Sequence, residues 1–169
     1  DKTYEATLRL GIETDSQDAD GQVVAEKDAA AVTAAQVAEQ MRLRLGDQMQ
    51  TPPMVSAVKV AGVPLYKLAR QGQTVARQPK LIHVYRFDLL DFTPPDVRFV
   101  VECTKGTYVR TLAHDVGQSL GVGAHLVQLR RTKIGQLDVA NAFTLDNLLA
   151  APSLDGKIIP LAAALPLLS

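Results

Sequence analysis

Residues 97–120 read VRFVVECTKGTYVRTLAHDVGQSL. The first third is apolar and rich in β-branched valine, which reads as a strand over Val97–Thr104. The last part places Val109, Leu112, Val116 and Leu120 on one helical face, which predicts a helix over Thr107–Leu120 with Thr107 as its N-cap. Between them Gly106 permits a tight turn. A turn built only to turn needs little more, yet this one also carries Lys105, Tyr108 and Arg110. The helix start presents free N–H groups and a positive dipole end, which favour an anion. A guanidinium at Arg110 is suited to holding a carboxylate or phosphate with two parallel hydrogen bonds. Tyr108 offers a face for a base or a wall for a pocket. A capped helix whose Arg110 makes a structural salt bridge, with Tyr108 in the core, fits the same residues.

Outward from this strand and helix, the elements are mixed without regular alternation. Thr3–Ile12 reads as a strand with Tyr4, Ala6, Leu8 and Leu10 on one face, and Val23–Glu26 as a short strand. Thr33–Leu45 reads as a helix with an apolar stripe Val37, Met41, Leu45, stopped by Gly46. Leu81–Phe92 pairs with Val97–Thr104 through TPPD, and His125–Ile134 is a further strand followed by a turn at Gly135. Thr144 caps a short helix, TLDNLLA. The pattern predicts an α+β fold: a mixed, largely antiparallel sheet flanked by helices.

The chain has 169 residues, 47% of them hydrophobic, and eighteen basic residues cancel eighteen acidic ones. A polyanion is therefore not recruited by net charge, and a nucleic-acid binder of this composition must cluster its cations. They do cluster. Between Gln50 and Lys80 lie Lys59, Lys67, Arg70, Arg77 and Lys80, with Tyr66 among them and no acidic residue. VSAVKVAGVPLY suggests a hairpin, followed by a short helix Leu65–Gln71 ended by Gly72. Such a long structured insertion is typically functional. Cations there neutralise phosphates and an aromatic offers a stacking platform; a solvated surface arm is the plain alternative.

Other residues carry less. The single cysteine, Cys103, lies in an apolar run and reads as a reduced core residue. His83, His114 and His125 are scattered without metal-ligand spacing. Asp15, Asp18 and Asp20 resemble part of a calcium loop, but no bidentate Glu follows at the required position, so they read as turn formers. No apolar run approaches the roughly 20 residues that span a bilayer. These features predict a cytoplasmic protein, monomeric, without metal or membrane partner.

Several segments together carry a resemblance: KTYEATLRLGIETDSQDADG (2–21), TPPMVSAVKVAGVPLYKLARQG (51–72), VECTKGTYVRTLAHDVGQSLGVGAHLVQLRRTKIG (101–135), and FTLDNLL (143–149) with IPL (159–161). In order and spacing the chain resembles the TruB-type tRNA pseudouridine synthases. The resemblance implies isomerisation of uridine-55 in the tRNA T loop to pseudouridine, with no cofactor and no metal, on a base flipped out of its stack. It implies that Tyr4 is the active-site tyrosine that packs on the base and takes part in proton transfer. Arg110 matches the arginine that pairs with the nucleophilic aspartate. Tyr108 and Leu129 match positions lining the uridine pocket, and Asp18 matches a polar support of the site. Residues 50–80 match the thumb that clasps the T arm, with Lys59, Tyr66, Lys67 and Arg70 as its RNA contacts. Of Arg130 and Arg131, adjacent on a strand, only one can join a given pocket.

One departure stands out. The family's nucleophile sits in a GxLDxxAxG-type motif, and no such motif occurs in these 169 residues. The expectation is a partial catalytic domain over 1–169, with the nucleophile segment and any C-terminal RNA-binding domain outside it. The isolated chain is then expected to be inactive, with Arg110 an unpaired cation in an open pocket. A non-catalytic RNA-binding or RNA-folding module using the same surface is the second reading. A small-anion enzyme using the Thr107 helix start is a weaker third.

Overall fold

The computed structural model describes residues 1–56, 59–60, 62–73 and 75–165. In chain order the elements are β1 (Lys2–Leu10), β2 (Ile12–Thr14), β3 (Val23–Glu26), α1 (Ala34–Arg42), β4 (Gly46–Gln50), β5 (Lys59–Val60), β6 (Val63–Pro64) and α2 (Leu65–Arg70). There follow β7 (Lys80–Thr93), β8 (Asp96–Cys103), α3 (Val109–Ser119), β9 (Ala124–Ile134), β10 (Leu137–Asp138), α4 (Leu145–Leu149) and α5 (Leu161–Ala164). Six strands form one sheet in the order β10-β9-β1-β8-β7-β4, and every pairing within it is antiparallel.

Alternation along β1 decides which face of this sheet is dry. Ala6, Leu8 and Leu10 are buried, while the residues between them are only partly so. β8 supplies Val97, Phe99, Val101 and Cys103 to the same core. Two helices cover it: α1 through Val37 and Met41, α3 through Val109, Leu112 and Val116. Full burial of each large apolar side chain contributes about 1.5–3 kcal/mol. Gly117 lets α3 lie close on the start of β9, since a Cβ there would stand 2.3 Å from the Ala124 nitrogen. The opposite face is charged and wet, with Arg9–Asp96 at 2.7 Å and Arg98–Glu5 at 3.0 Å. Pairs this exposed contribute at most about 1 kcal/mol each.

Gly11 divides the first strand. Its φ is +84°, and a Cβ would meet the Lys27 carbonyl at 2.6 Å. Beyond it the chain leaves the main sheet as β2 and pairs with β3 in a separate ribbon. The predicted continuous strand Thr3–Ile12 is therefore broken one residue before its end.

Other boundaries differ for physical reasons. Thr33 caps α1 in a capping box with Gln36, but the helix ends at Arg42, and Leu45 is exposed rather than part of the stripe. Gly46 opens β4, a polar edge strand held by main-chain pairing with β7, which has no apolar alternation to announce it. Thr107 does not cap α3. The cap position is Tyr108, whose carbonyl accepts from the Thr111 and Leu112 N–H groups. The hairpin β5–β6, the helix α2 and the Thr144 cap of α4 lie where the sequence places them.

Phe99 sits fully buried at the sheet centre, edge-on to Phe87 with ring centroids 5.2 Å apart. Phe99→Ala is expected to cost about 3–5 kcal/mol, read as a lower urea midpoint at unchanged slope.

Candidate functional site

A cleft of about 300 Å³ opens where β1, the start of α3, β9 and the 13–21 loop meet. Its walls are Tyr4, Asp18, Thr107, Tyr108, Val109, Arg110, Leu126 and Leu129. Ligand pockets begin at about this size. Tyr4, Asp18, Tyr108, Arg110 and Leu129, which come from four separate parts of the sequence, thus share one concavity. Leu126 closes its floor and Leu129, half exposed, forms its rim.

The acidic loop is pinned rather than loose. Gln17 adopts φ +64°; its carbonyl accepts from the Leu126 N–H at 3.1 Å, and its side-chain oxygen accepts from the Thr111 hydroxyl at 2.8 Å. The Thr14 hydroxyl donates to the Asp18 carbonyl at 2.7 Å. Asp15 makes the expected turn bond, accepting from the Gln22 N–H at 3.0 Å. These tethers carry the Asp18 carboxylate to 3.9 Å from Arg110.

Arg110 is consequently not the unpaired cation expected from the sequence. Beside Asp18, its Nη2 donates to the Val55 carbonyl at the start of the 50–80 segment, and its guanidinium carbon lies 5.9 Å from the Tyr108 ring centroid. The local sequence around Arg110 contains neither oxygen, so only the folded chain could supply these partners.

Tyr4 is half-buried and lies opposite Val101 on one side and Arg131 on the other. Burial pushes its phenol pKa above the ordinary value and the Cys103 thiol adds to this; the neighbouring Arg131 guanidinium pulls the other way. At neutral pH Tyr4 is an uncharged donor. Cys103 is fully buried, and burial pushes its thiol upward too, which is unsuited to a nucleophile. The register skips Thr132, so Arg131 faces Tyr4 whereas Arg130 lies opposite Glu5. Arg131 is a neighbour of the site that sequence spacing left undecided between two arginines.

Other candidates lie elsewhere. His83 bonds Asp47 at 2.7 Å and His125 bonds the Ile12 carbonyl at 2.9 Å, and neither lines the cleft. Among the described residues no three His, Cys, Asp or Glu side chains group as a metal site. In the basic segment Lys67 is exposed, and Arg77 donates to the Pro52 carbonyl at 3.1 Å, tying the two ends of the segment together. The side chains of Lys59, Tyr66 and Arg70 lie outside the described residues, although their backbones belong to β5 and α2. A larger cleft of about 530 Å³, lined by residues 10–12, 26–30, Pro94 and Pro95, collects no comparable chemistry. There Lys27 is engaged by the Gly121 carbonyl and Asp28 by the Ala30 N–H.

The fold is shared with Cbf5 in a crystal structure of a Cbf5-Nop10-Gar1 complex, at TM-score 0.63 and 30% identity over 88% of this chain and 35% of that one. The family description "TruB family pseudouridylate synthase (N terminal domain)" matches residues 1–109, and "tRNA pseudouridylate synthase B C-terminal domain" matches residues 110–165. The chain belongs to the TruB family of pseudouridylate synthases. It is 51% identical to a tRNA pseudouridine synthase B of Opitutus terrae, covering 98% of this chain and 70% of that protein. It is 50% identical to one of Syntrophotalea carbinolica, covering 86% and 47%, and 49% identical to one of Symbiobacterium thermophilum, covering 98% and 55%. The chain thus spans about half the length of the latter two. The two family matches meet inside α3, between Val109 and Arg110, whereas β1 and β9 pair along one sheet.

The raised phenol of Tyr4 makes a pH prediction. A group whose folded pKa exceeds its unfolded value lends stability below the unfolded pKa, and that stability is lost as pH rises through the folded one. Titration followed by tyrosinate absorbance is expected to show a component midpoint above 10.0 that Tyr4→Phe removes.

Proposed function

We propose that this chain provides the uridine-binding part of the catalytic cleft of a tRNA pseudouridine synthase, acting on uridine-55 in the T loop. The observation that carries the reading is the convergence of Tyr4, Asp18, Tyr108, Arg110 and Leu129 on one small cleft in a member of this family. The reacting atoms of a looped uridine are hidden by stacking, so the base must leave the stack to reach them. Leu126 and Leu129 offer apolar walls, and the Tyr4 ring offers a face on which a pyrimidine packs.

The reaction is an isomerisation and balances without a co-reactant. The bond between ribose C1′ and uracil N1 breaks, the ring turns, and C5 bonds to C1′. The C5 proton leaves, and N1 takes up a proton. Tyr4, neutral and facing Arg131 across the strand pair, is placed to handle a proton. Arg110, held by the Val55 carbonyl and Asp18, is placed to orient a second carboxylate at the cleft mouth. The nucleophilic aspartate of the GxLDxxAxG type is then supplied from sequence outside these 169 residues, and the isolated chain does not turn over RNA. The 50–80 thumb clasps the T arm through its local cations, since the chain as a whole is neutral. The protein is proposed to act in the cytoplasm, as a monomer, without metal or cofactor.

A non-catalytic RNA-binding or RNA-folding role for the same surface is the second reading. Asp18 favours it, being a carboxylate already beside Arg110 yet fastened by its own loop.

Turnover of a T-arm RNA hairpin by the full-length protein separates the two: pseudouridine supports the synthase, and binding without product supports the module. In the synthase, Arg110→Ala is expected to lower kcat by about 100-fold or more while RNA affinity changes far less. Normal turnover by that variant would overturn the assignment of Arg110. Lys67→Ala with Arg70→Ala is expected to weaken binding and flatten its salt dependence by about 0.7–0.9 per lost phosphate contact, with kcat kept.

A further inference from the structure

Gln50 is the first residue of the thumb, yet its side chain is almost wholly buried, 4% exposed. It belongs to β4 at the sheet edge, where its main chain pairs with Lys80, the other end of the same segment. Its carboxamide does not pack idly. The oxygen accepts from the Tyr108 N–H at 2.7 Å, and the nitrogen donates to the Tyr108 carbonyl at 3.1 Å. One side chain thus bonds both main-chain groups of the residue at the cap position of α3, whose carbonyl also accepts from the Thr111 and Leu112 N–H groups. The fixed polarity of those partners also fixes which end of the amide is oxygen.

The clasp explains an anomaly of α3. No side chain caps it through the usual hydroxyl or carboxylate. Tyr108 is held instead by a residue 58 positions away. Tyr108 and Arg110 both line the cleft, and Arg110 also reaches back to the Val55 carbonyl in the thumb. The thumb root and the cleft turn are therefore joined at two points.

We infer that Gln50 is a positioning residue: its two-point clasp on the Tyr108 main chain registers the thumb root against the Tyr108–Arg110 turn, setting Arg110 for the reaction. The inference rests on the proposed synthase function. It assigns Gln50 no contact with the reacting base. A small displacement of a positioned group lowers turnover far more than binding, by up to about 100-fold for 1 Å.

The test uses two variants of the full-length protein. Gln50→Met keeps the volume and removes both hydrogen bonds. Gln50→Glu restores both when its carboxyl is protonated, the O–H donating to the Tyr108 carbonyl and the other oxygen accepting from the N–H. When ionised it turns a lone pair towards that carbonyl. Burial raises such a carboxyl, while Lys80 across the strand pair and Arg110 beyond Tyr108 favour its ionised form.

Relative to wild type at each pH, Gln50→Met is expected to lose about tenfold or more in kcat at every pH, with KM within about threefold. Gln50→Glu is expected to match that loss at pH 8 and to recover as pH falls. A pH-independent Gln50→Glu ratio, a loss confined to KM, or normal kcat in Gln50→Met would overturn the inference. Hydrogen exchange of the Tyr108 amide decides it independently of turnover. Faster exchange in Gln50→Met, and in Gln50→Glu only at high pH beyond the intrinsic base-catalysed rise, supports the clasp; unchanged protection sinks it. If wild type makes no pseudouridine while this exchange pattern holds, the synthase reading fails and the clasp stands as a structural device.

Discussion

Main-chain pairing along both edges of β1 is the constraint from which the rest follows. β8 lies on one side and β9 on the other, and neither is its neighbour in sequence. With the register set, the alternation of Ala6, Leu8 and Leu10 must point to the face that α1 and α3 cover, because a one-residue slip would turn those side chains to water. Tyr4 continues the same face beyond the densest part of the core. It therefore emerges half-buried, at the point where the sheet stops being packed and the cleft begins.

The cleft is assembled by short polar ties rather than by further burial. Gln17 joins the acidic loop to Leu126 and Thr111, and the Val55 carbonyl and Asp18 hold Arg110. Hydrogen bonds in partly buried surroundings fix direction as well as distance, which is what the proposed action on a single uridine needs. Arg110 is 22% exposed in its side chain, so its charge is screened less than that of the exposed Lys67 and Lys80. A neutral protein can handle RNA in this way, because its useful charges are local.

Sequence legibility followed the range of the forces involved. Strand β1 and helix α3 were readable because periodicity of two or of 3.6 is a local signature of one buried face. The Thr144 cap was readable because its partner lies three residues away. β4 was not, since a polar edge strand is held by its neighbour's main chain and carries no pattern of its own. The cap of α3 falls on Tyr108 rather than Thr107, and Gln50, which bonds the Tyr108 main chain, lies far off in sequence. Gly11 gave no warning that the strand would break there, as the Lys27 carbonyl it avoids comes from another segment.

By itself the sequence determined the α+β class, the core faces of β1 and α3, the basic segment, and the family to which the collinear motifs point. All of these are set by local pattern or by the order of residues along the chain. Only the tertiary structure decided that Asp18 stands beside Arg110, that Arg131 rather than Arg130 faces Tyr4, and that Gln50 holds the turn where Tyr108 and Arg110 begin. Those are contacts between residues distant in the chain. Their geometry exists only once antiparallel pairing has fixed the register and closed the loops between the strands.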